Sequence, residues 1–431
     1  MTDHSARRAL INELHARPFP TLKAPASAAY LALTSDADAP RAAEEDRAHL
    51  IALLDRFGAP HPAPDAEHYF ADLGPFALKW ERHTEFVTYT LMTEGVSTPP
   101  FQGDLFAHFP KSWINEGGVV MASALLRIET AHLNEPETLS QIDDKLRNWF
   151  VAESLAASKI ADGNALIAGD FRLDAAGHSR FAVFTEPSID PRRLGRIVQR
   201  LLELETYRAM AMLALPVAQR VSREVARLDA DLTQIMASIT REDGADEASL
   251  ENLLRLAAEV ELLISGTSFR FGAAEAYRAI VDERLTTLRE QRVGDRQVMS
   301  EFMLRRFDPA MRTCRSVIGR VTALSERANR AANLLRTRVD VRSEIQSRDL
   351  LASMNRRADL QLRLQETVEG LSAVAISYYA VGLAGYLGAP LAKLLGISKD
   401  WLMALIALPV LAFVWYSLRR LRRHLTEKHD N

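Results

Sequence analysis

Two uncharged stretches near the end of the chain constrain its fold more than anything before them. Residues 370–392 and 401–418 contain no charged side chain. A bilayer core takes about 20 mostly apolar helical residues to cross, within a range of about 17–25. Both stretches reach that length, although the first carries serines, tyrosines and glycines. The loop between them holds only Lys393, Lys399 and Asp400. Arg356, Arg357 and Arg363 precede the first stretch, and Arg419, Arg420, Arg422 and Arg423 follow the second. Arginine is retained on the cytoplasmic side of a membrane. The expectation is a two-helix transmembrane hairpin in a lipid bilayer, with a short outer loop and both termini in the cytoplasm.

The rest of the chain is rich enough in apolar residues to fold on its own. With 431 residues, 48% of them hydrophobic, it can bury two or three ordinary domains. A net charge of −3 argues against nucleic acid as a partner. The single cysteine, Cys314, excludes an internal disulfide and fits a reducing compartment. Cys314 stands between Arg312 and Arg315, where cations can favour the thiolate, but a structural role is the simpler expectation. Residues 1–8 lack the apolar core of a secretory signal, so insertion falls to the hairpin.

Residues 1–190 alternate strand and helix signals. Residues 26–34 form an apolar run of strand type. Residues 41–57 have helical spacing, with Leu50, Leu53, Leu54 and Phe57 on one face and Gly58 past the end. Residues 76–80, 85–92 and 119–128 read as strands and 137–153 as a helix. Residues 164–173 and 179–185 flank the turn Asp174-Ala175-Ala176-Gly177 as a hairpin. The class predicted is a cytoplasmic α+β domain with a largely antiparallel sheet.

A mostly helical bundle follows over 191–308. Its helices are expected at 194–215, 217–239, 249–265 and 273–292, broken at Gly244, Gly266 and Gly294. Asp308-Pro309 is a helix start, an N-cap followed by proline in the first turn. No proline then occurs until Pro390, and Gly319 is the only glycine before Gly370. About 80 residues of unbroken helix would be ~120 Å long, of which about 30 Å crosses a bilayer. This gives a stalk helix over 309–366, the hairpin over 367–419 with spans at about 368–389 and 401–418, and a basic cytoplasmic tail over 420–431. Val321, Leu324, Ala328, Ala331, Leu335 and Val339 form a coiled-coil-like seam, and Leu350, Met354, Ala358 and Leu362 continue an apolar face. Such a seam packs either within one subunit or around the axis of a homo-oligomer.

The chain carries no phosphate-binding glycine loop, no G-x-S-x-G elbow and no H-E-x-x-H. No catalytic residue, cofactor or metal is therefore expected. The 11 histidines are scattered, and His61, His68 and His83 fit a loop and a strand edge better than a zinc site. One face of the first span has a pattern of its own. Asp359, Glu366, Gly370, Ser377 and Gly388 follow one another at 7, 4, 7 and 11 residues, near whole helical turns. In a symmetric oligomer these residues would line a pore, with Glu366 as an acidic ring that concentrates divalent cations at a cytoplasmic mouth. The same span carries Ala380, Ala384 and Gly388, a row of small residues suited to close helix packing. Glu366 and Glu369 can equally sit at the interface beside Arg363. Two functions stay open: a homo-oligomeric cation channel or transporter, and a tethered binding or scaffolding protein without transport.

Three runs resemble a known family. They are Asn12-Glu13-Leu14-His15-Ala16-Arg17-Pro18, residues 361–372 (QLRLQETVEGLS) and Ile376-Ser377-Tyr378-Tyr379. Together they resemble a bacterial family of predicted membrane-anchored proteins, domain of unknown function 3422, along essentially the whole chain. The resemblance implies an anchored cytoplasmic domain in a bacterial inner membrane. It assigns no role to Asn12, Glu13, His15, Arg17 and Pro18. The layout also resembles the CorA family of homopentameric divalent-cation channels, in which the first span lines the pore. Where that family has Gly-Met-Asn, this chain has Gly385-Tyr386-Leu387-Gly388, with no asparagine and no acidic outer loop.

Overall fold

The structure, a computed structural model, describes residues 4, 6–8, 11, 19–35, 41–102, 104–240, 247–395 and 398–426. Strand β1 (Ala26–Thr34) leads into helix α1 (Ala43–Phe57) and then a meander of β2 (His68–Asp72), β3 (Ala77–Arg82) and β4 (Phe86–Glu94). After the short α2 (Lys111–Glu116) the same succession recurs: β5 (Val119–Thr130), α3 (Pro136–Trp149), then β6 (Ala156–Ile160), β7 (Ala165–Leu173) and β8 (Ser179–Thr185). With β9 (Gln291–Arg292) at one edge, they form a nine-stranded sheet in the order β2-β3-β4-β1-β5-β8-β7-β6-β9. The first strands of the two halves lie side by side, antiparallel, and each meander extends outward. β5 and β8 are parallel. The crossover through α3 sets β6 running the same way as β5, and two reversals later β8 does so again. The α+β class read from the sequence holds, and the sheet is mixed.

Strand pleating sends successive side chains to opposite faces. On one face Leu31, Leu33, Leu78, Trp80, Tyr89 and Leu91 pack with Leu50, Leu53 and Leu54 of α1 and Trp113 of α2. Gly58 ends α1 at φ +64, its N–H returned to Leu54 and Asp55, as a left-handed cap requires. A second cluster joins Ile142, Leu146 and Phe150 to Leu166, Ala168 and Phe184. The intervening residues of β1, β3 and β4 point the other way, and several are polar and buried: Lys79, Glu81, Thr88 and Thr90.

The helices that follow are α4 (Pro191–Met212), α5 (Ala214–Thr240), α6 (Glu247–Leu288), α7 (Met299–Arg306), α8 (Asp308–Leu395) and α9 (Lys399–Thr426). Two expectations need correction. Helix α6 runs straight through Gly266, which is exposed with open space where a Cβ would stand. A glycine inside a helix costs about 1 kcal/mol, less than the buried seam Thr267, Phe271, Ala274, Val281 and Leu288 returns. That helix also stops at Leu288 rather than at 292. Arg289 turns the chain at φ +49, and Gln291 and Arg292 pair with β6. Gly294, at φ +55, is a turn as expected, and Gly244 lies outside the described residues.

Residues Met1–Asn333 form one compact unit and Leu334–Asn431 a second. The divisions read from the sequence near 190 and 308 fall inside the first, and those near 366 and 419 inside the second. Helix α8 starts at Asp308 as its N-cap predicts and continues through Pro390 to Leu395. Val321, Leu324, Ala328, Ala331 and Leu335 of the predicted seam are buried, whereas Leu350, Met354 and Leu362 are exposed. Among the described residues one helix, carrying the first apolar stretch, is long and apolar enough to cross a membrane, with 6% of that stretch buried. A shorter apolar helical segment follows at Met403–Ser417.

His49 locks α1 to the sheet and α2. Its Nε2 lies 2.7 Å from the Trp113 carbonyl, which can only accept, so Nε2 carries the proton and Nδ1 accepts from the Tyr89 hydroxyl at 2.7 Å. Trp113 stacks on the ring at 3.9 Å and returns its indole N–H to the His49 carbonyl at 2.8 Å. Burial holds the imidazole below its usual value, with the nearby Arg41 guanidinium acting in the same direction. The folded state thus binds this proton less readily than the unfolded chain, whose value is about 6.5. The stability it contributes is full above that value and is lost as pH falls from there through the folded value. The urea midpoint should therefore drop between neutral pH and mildly acidic pH, and His49→Gln should flatten that dependence.

Candidate functional site: an aromatic cavity beside buried ion pairs

Residues 83–85, the turn between β3 and β4, are fixed from several sides. The Arg41 N–H donates to the Thr84 carbonyl at 3.1 Å, and the Thr34 hydroxyl donates to the Glu85 carbonyl at 2.8 Å. The Glu85 carboxylate then receives two side chains from α6, seven residues apart and so on one helical face. Arg270 donates at 2.6 Å and the Tyr277 hydroxyl at 2.5 Å. Glu85 is 3% and Arg270 4% exposed. Burial, and hydrogen bonding to the carboxylate, raise the Tyr277 phenol well above its usual value, so it remains a donor.

A cavity of about 420 Å³ opens beside this turn. Aromatic rings form part of its wall: His83 stacks on Phe86 at 4.4 Å, and Tyr207 of α4 stacks on Tyr277 at 5.6 Å. Arg41 and Arg82 also line it, but they are held by Asp46 at 2.6 Å and Glu67 at 2.9 Å. Its two cations are thus matched by carboxylates, and the four rings supply flat apolar faces beside them.

His83, Phe86 and Tyr207 also border a deeper polar pocket between the sheet and α4, of about 30 Å³, room for about one water. Lys79 reaches Glu81 at 3.0 Å and Gln199 at 2.6 Å. Gln199 donates to Glu203 at 2.8 Å, and Glu203 also accepts from Arg284 at 2.5 Å. Tyr30 donates to Thr206 at 2.6 Å, because the Thr206 hydroxyl already gives its own proton to the Leu202 carbonyl. Each buried charge in this chain of contacts has an opposite charge or an amide beside it, as burial demands.

The sequence-derived residues fall elsewhere. Asn12, Glu13, His15, Arg17 and Pro18 lie outside the described residues. Pro20, just after them, borders the polar pocket, and Leu22 bonds the Pro191 carbonyl at 3.1 Å. On α8, Asp359, Glu366 and Gly370 are exposed, and Ser377 and Gly388 are half-buried. Ser377 borders a groove whose other wall includes Met403, Leu411 and Trp415 of α9. At Gly385 a Cβ would overlap the Met403 sulfur, so the two helices approach most closely there. Arg419 lies over the Trp415 ring at 4.9 Å, Arg420 is exposed, and Arg422 and Arg423 fall in the last turns of α9.

His61 pairs with Asp55 at 2.7 Å, His68 begins β2, and His83 stacks on Phe86. Among the described residues no three His, Cys, Asp or Glu side chains come together as a metal site. Cys314 is buried, which pushes its thiol up rather than down, so the flanking arginines do not create a thiolate. The sequence also gave no sign of one nucleophile–base pair, Ser123 and His178, which are hydrogen-bonded. Burial keeps His178 neutral and able to accept, but Ser123 is only 6% exposed, leaving a substrate no approach to its Oγ. The pair fastens the β7–β8 turn to β5.

Fold and cavity together define an α+β protein with a mixed sheet, an open cavity bordered by four aromatic rings and a long C-terminal helix apolar enough to cross a bilayer. Residues 2–425 match the family described as protein of unknown function (DUF3422), and the chain belongs to that family. No curated protein matches it. The comparisons lend the CorA resemblance no support.

Proposed function

We propose that this protein tethers a small-molecule-binding domain to the bacterial inner membrane, with α8 and α9 as a transmembrane hairpin and both termini cytoplasmic. One contrast between the two units carries the reading. The first buries a hydrophobic core, whereas the second exposes Leu371, Val374, Tyr378, Tyr379, Leu383 and Tyr386 on α8 and Trp401, Leu405, Leu408 and Phe413 on α9. Apolar surface on that scale calls for lipid or another helix rather than water. The cavity supplies a binding role without requiring catalysis, and its matched charges favour a flat, weakly charged ligand.

Truncation before Thr367 tests the tether. The shortened chain should leave the membrane fraction, while the full chain should resist a high-salt wash. A truncated chain that stays with membranes would overturn the assignment of the anchor. A cysteine placed at Ser398 should label from outside the cell and one at Thr426 should not; the native Cys314 is buried and stays silent.

A second reading, a homo-oligomeric divalent-cation channel, draws on the exposed carboxylates Asp359 and Glu366 and the open space beside Gly370. Under the tether reading, proteoliposomes carrying the full chain are no more permeable to divalent cations than empty ones. Flux that falls with Glu366→Gln would favour the channel.

A further inference from the structure

Another cavity in the first unit, about 300 Å³, has cations on its wall that carboxylates do not match, unlike the aromatic one. Arg172, Arg208 and Arg306 line it, with Ser154, Phe171 and Phe302 among the remaining walls. Arg208 is paired with Glu205 at 2.7 Å, whereas the buried Asp170 accepts from Arg172 only its backbone N–H, at 3.2 Å, and turns its carboxylate to Arg180 at 4.0 Å. Of the three guanidinium groups, only that of Arg208 has a carboxylate partner among the described residues, and the exposed Arg172 and Arg306 carry two unmatched positive charges. Arg306 makes no hydrogen bond or ion pair among the described residues, and the buried Nε of Arg208 has no acceptor. A buried guanidinium N–H without an acceptor costs roughly 1–3 kcal/mol unless a ligand supplies one.

The aromatic side of the cavity is built by an irregularity in the sheet. The β7–β8 register breaks between Gly169 and Leu173, and Phe171 sits inside that break at φ +52, a region that bulky side chains rarely occupy. Such strain persists where the surrounding structure holds it, and it concentrates at sites of function. Here it turns the Phe171 ring onto Phe302, stacked at 4.6 Å, and under the Arg208 guanidinium at 5.6 Å. Arg172 is oriented by its Nε bond to the Ser154 hydroxyl at 2.7 Å, which leaves its terminal nitrogens to face the cavity.

We propose that this cavity binds an oxyanion carried on a flat ring, with the anion held by Arg172, Arg208 and Arg306 and the ring laid against Phe171 and Phe302. Phosphate suits it best, because guanidinium donors pair with phosphate oxygens in forked, charge-assisted bonds and three of them surround one space. The proposal is independent of the aromatic cavity and of the membrane reading.

Calorimetric titration of the full chain in mild detergent tests it, with phenyl phosphate, inorganic phosphate and phenol as probes. Phenyl phosphate should bind saturably and about tenfold more tightly than inorganic phosphate, the advantage a stacked ring confers, and phenol should not bind. Arg306→Gln breaks no contact among the described residues, so its unfolding midpoint should match the parent while phenyl phosphate affinity falls about tenfold. Phe302→Leu should erase the preference for phenyl phosphate while keeping inorganic phosphate binding. Absence of saturable binding, equal competition by chloride at matched ionic strength, or unchanged affinity in Arg306→Gln would each overturn the site.

Discussion

Arg270→Leu is expected to destabilise the first unit by about 3–5 kcal/mol, the usual cost of removing one partner from a buried ion pair. The substitution leaves the Glu85 carboxylate 3% exposed with only the Tyr277 hydroxyl donating to it. A lone buried charge loses its hydration and gains nothing comparable. Glu85→Leu should also destabilise the unit, because the buried Arg270 guanidinium loses this carboxylate. The double variant should lose less than the two singles added together, since no unpaired charge remains, and the difference measures the coupling. Chemical unfolding of the full chain in mild detergent, read by the fluorescence of the buried Trp80 and Trp113, checks all three. Glu85 and Arg270 fix the turn beside the aromatic cavity, so affinity for the ligand proposed for it should fall with them.

What makes this pair informative is its distance along the chain. Glu85 meets Arg270 across 185 residues and Tyr277 across 192, and Lys79 meets Gln199 across 120. Nothing in local spacing marks those partners, and the aromatic cavity was accordingly invisible in the sequence. Features set by short-range geometry were legible. The seam from Val321 to Leu335 follows from helical period alone, because every third or fourth side chain returns to one face. The β7–β8 turn follows from Asp174 accepting the N–H groups of Ala176 and His178, with Gly177 at φ +90.

The strands that escaped detection are short and poorly patterned. β2 has only five residues, His68–Asp72, none of them fully buried, and β6 mixes alanine, serine and lysine. β9 has two residues and forms only because the chain turns at Arg289 to reach the edge of β6. Phe171 is a harder case. Its position in a register break, and with it the arginine cavity, depends on how β7 pairs with β8, a property of two strands that neither reveals alone.

Gly195→Ala and Gly266→Ala should move stability in opposite directions, although both replace a helical glycine by the residue with the strongest helix preference. Helix propensity by itself predicts a gain of about 1 kcal/mol for each. At Gly266 that gain should appear, because nothing lies within 4 Å of the new methyl group. At Gly195 the methyl would overlap the Pro20 carbonyl oxygen and sit 2.7 Å from its carbon. Both are backbone atoms, and the Leu22 N–H bond to the Pro191 carbonyl at 3.1 Å holds that segment against the start of α4. No rotamer change can relieve the overlap. Either the segment lifts from α4, exposing Leu22 and opening the polar pocket at Pro20, or α4 tilts away from the sheet and strains the Tyr30–Thr206 and Lys79–Gln199 bonds. Packing penalties of this kind run to about 3 kcal/mol and beyond when backbone must move. Unfolding curves of the two variants should therefore bracket the parent. A Gly195→Ala midpoint at or above the parent would mean that the residues after the Asn12–Pro18 motif do not rest on α4.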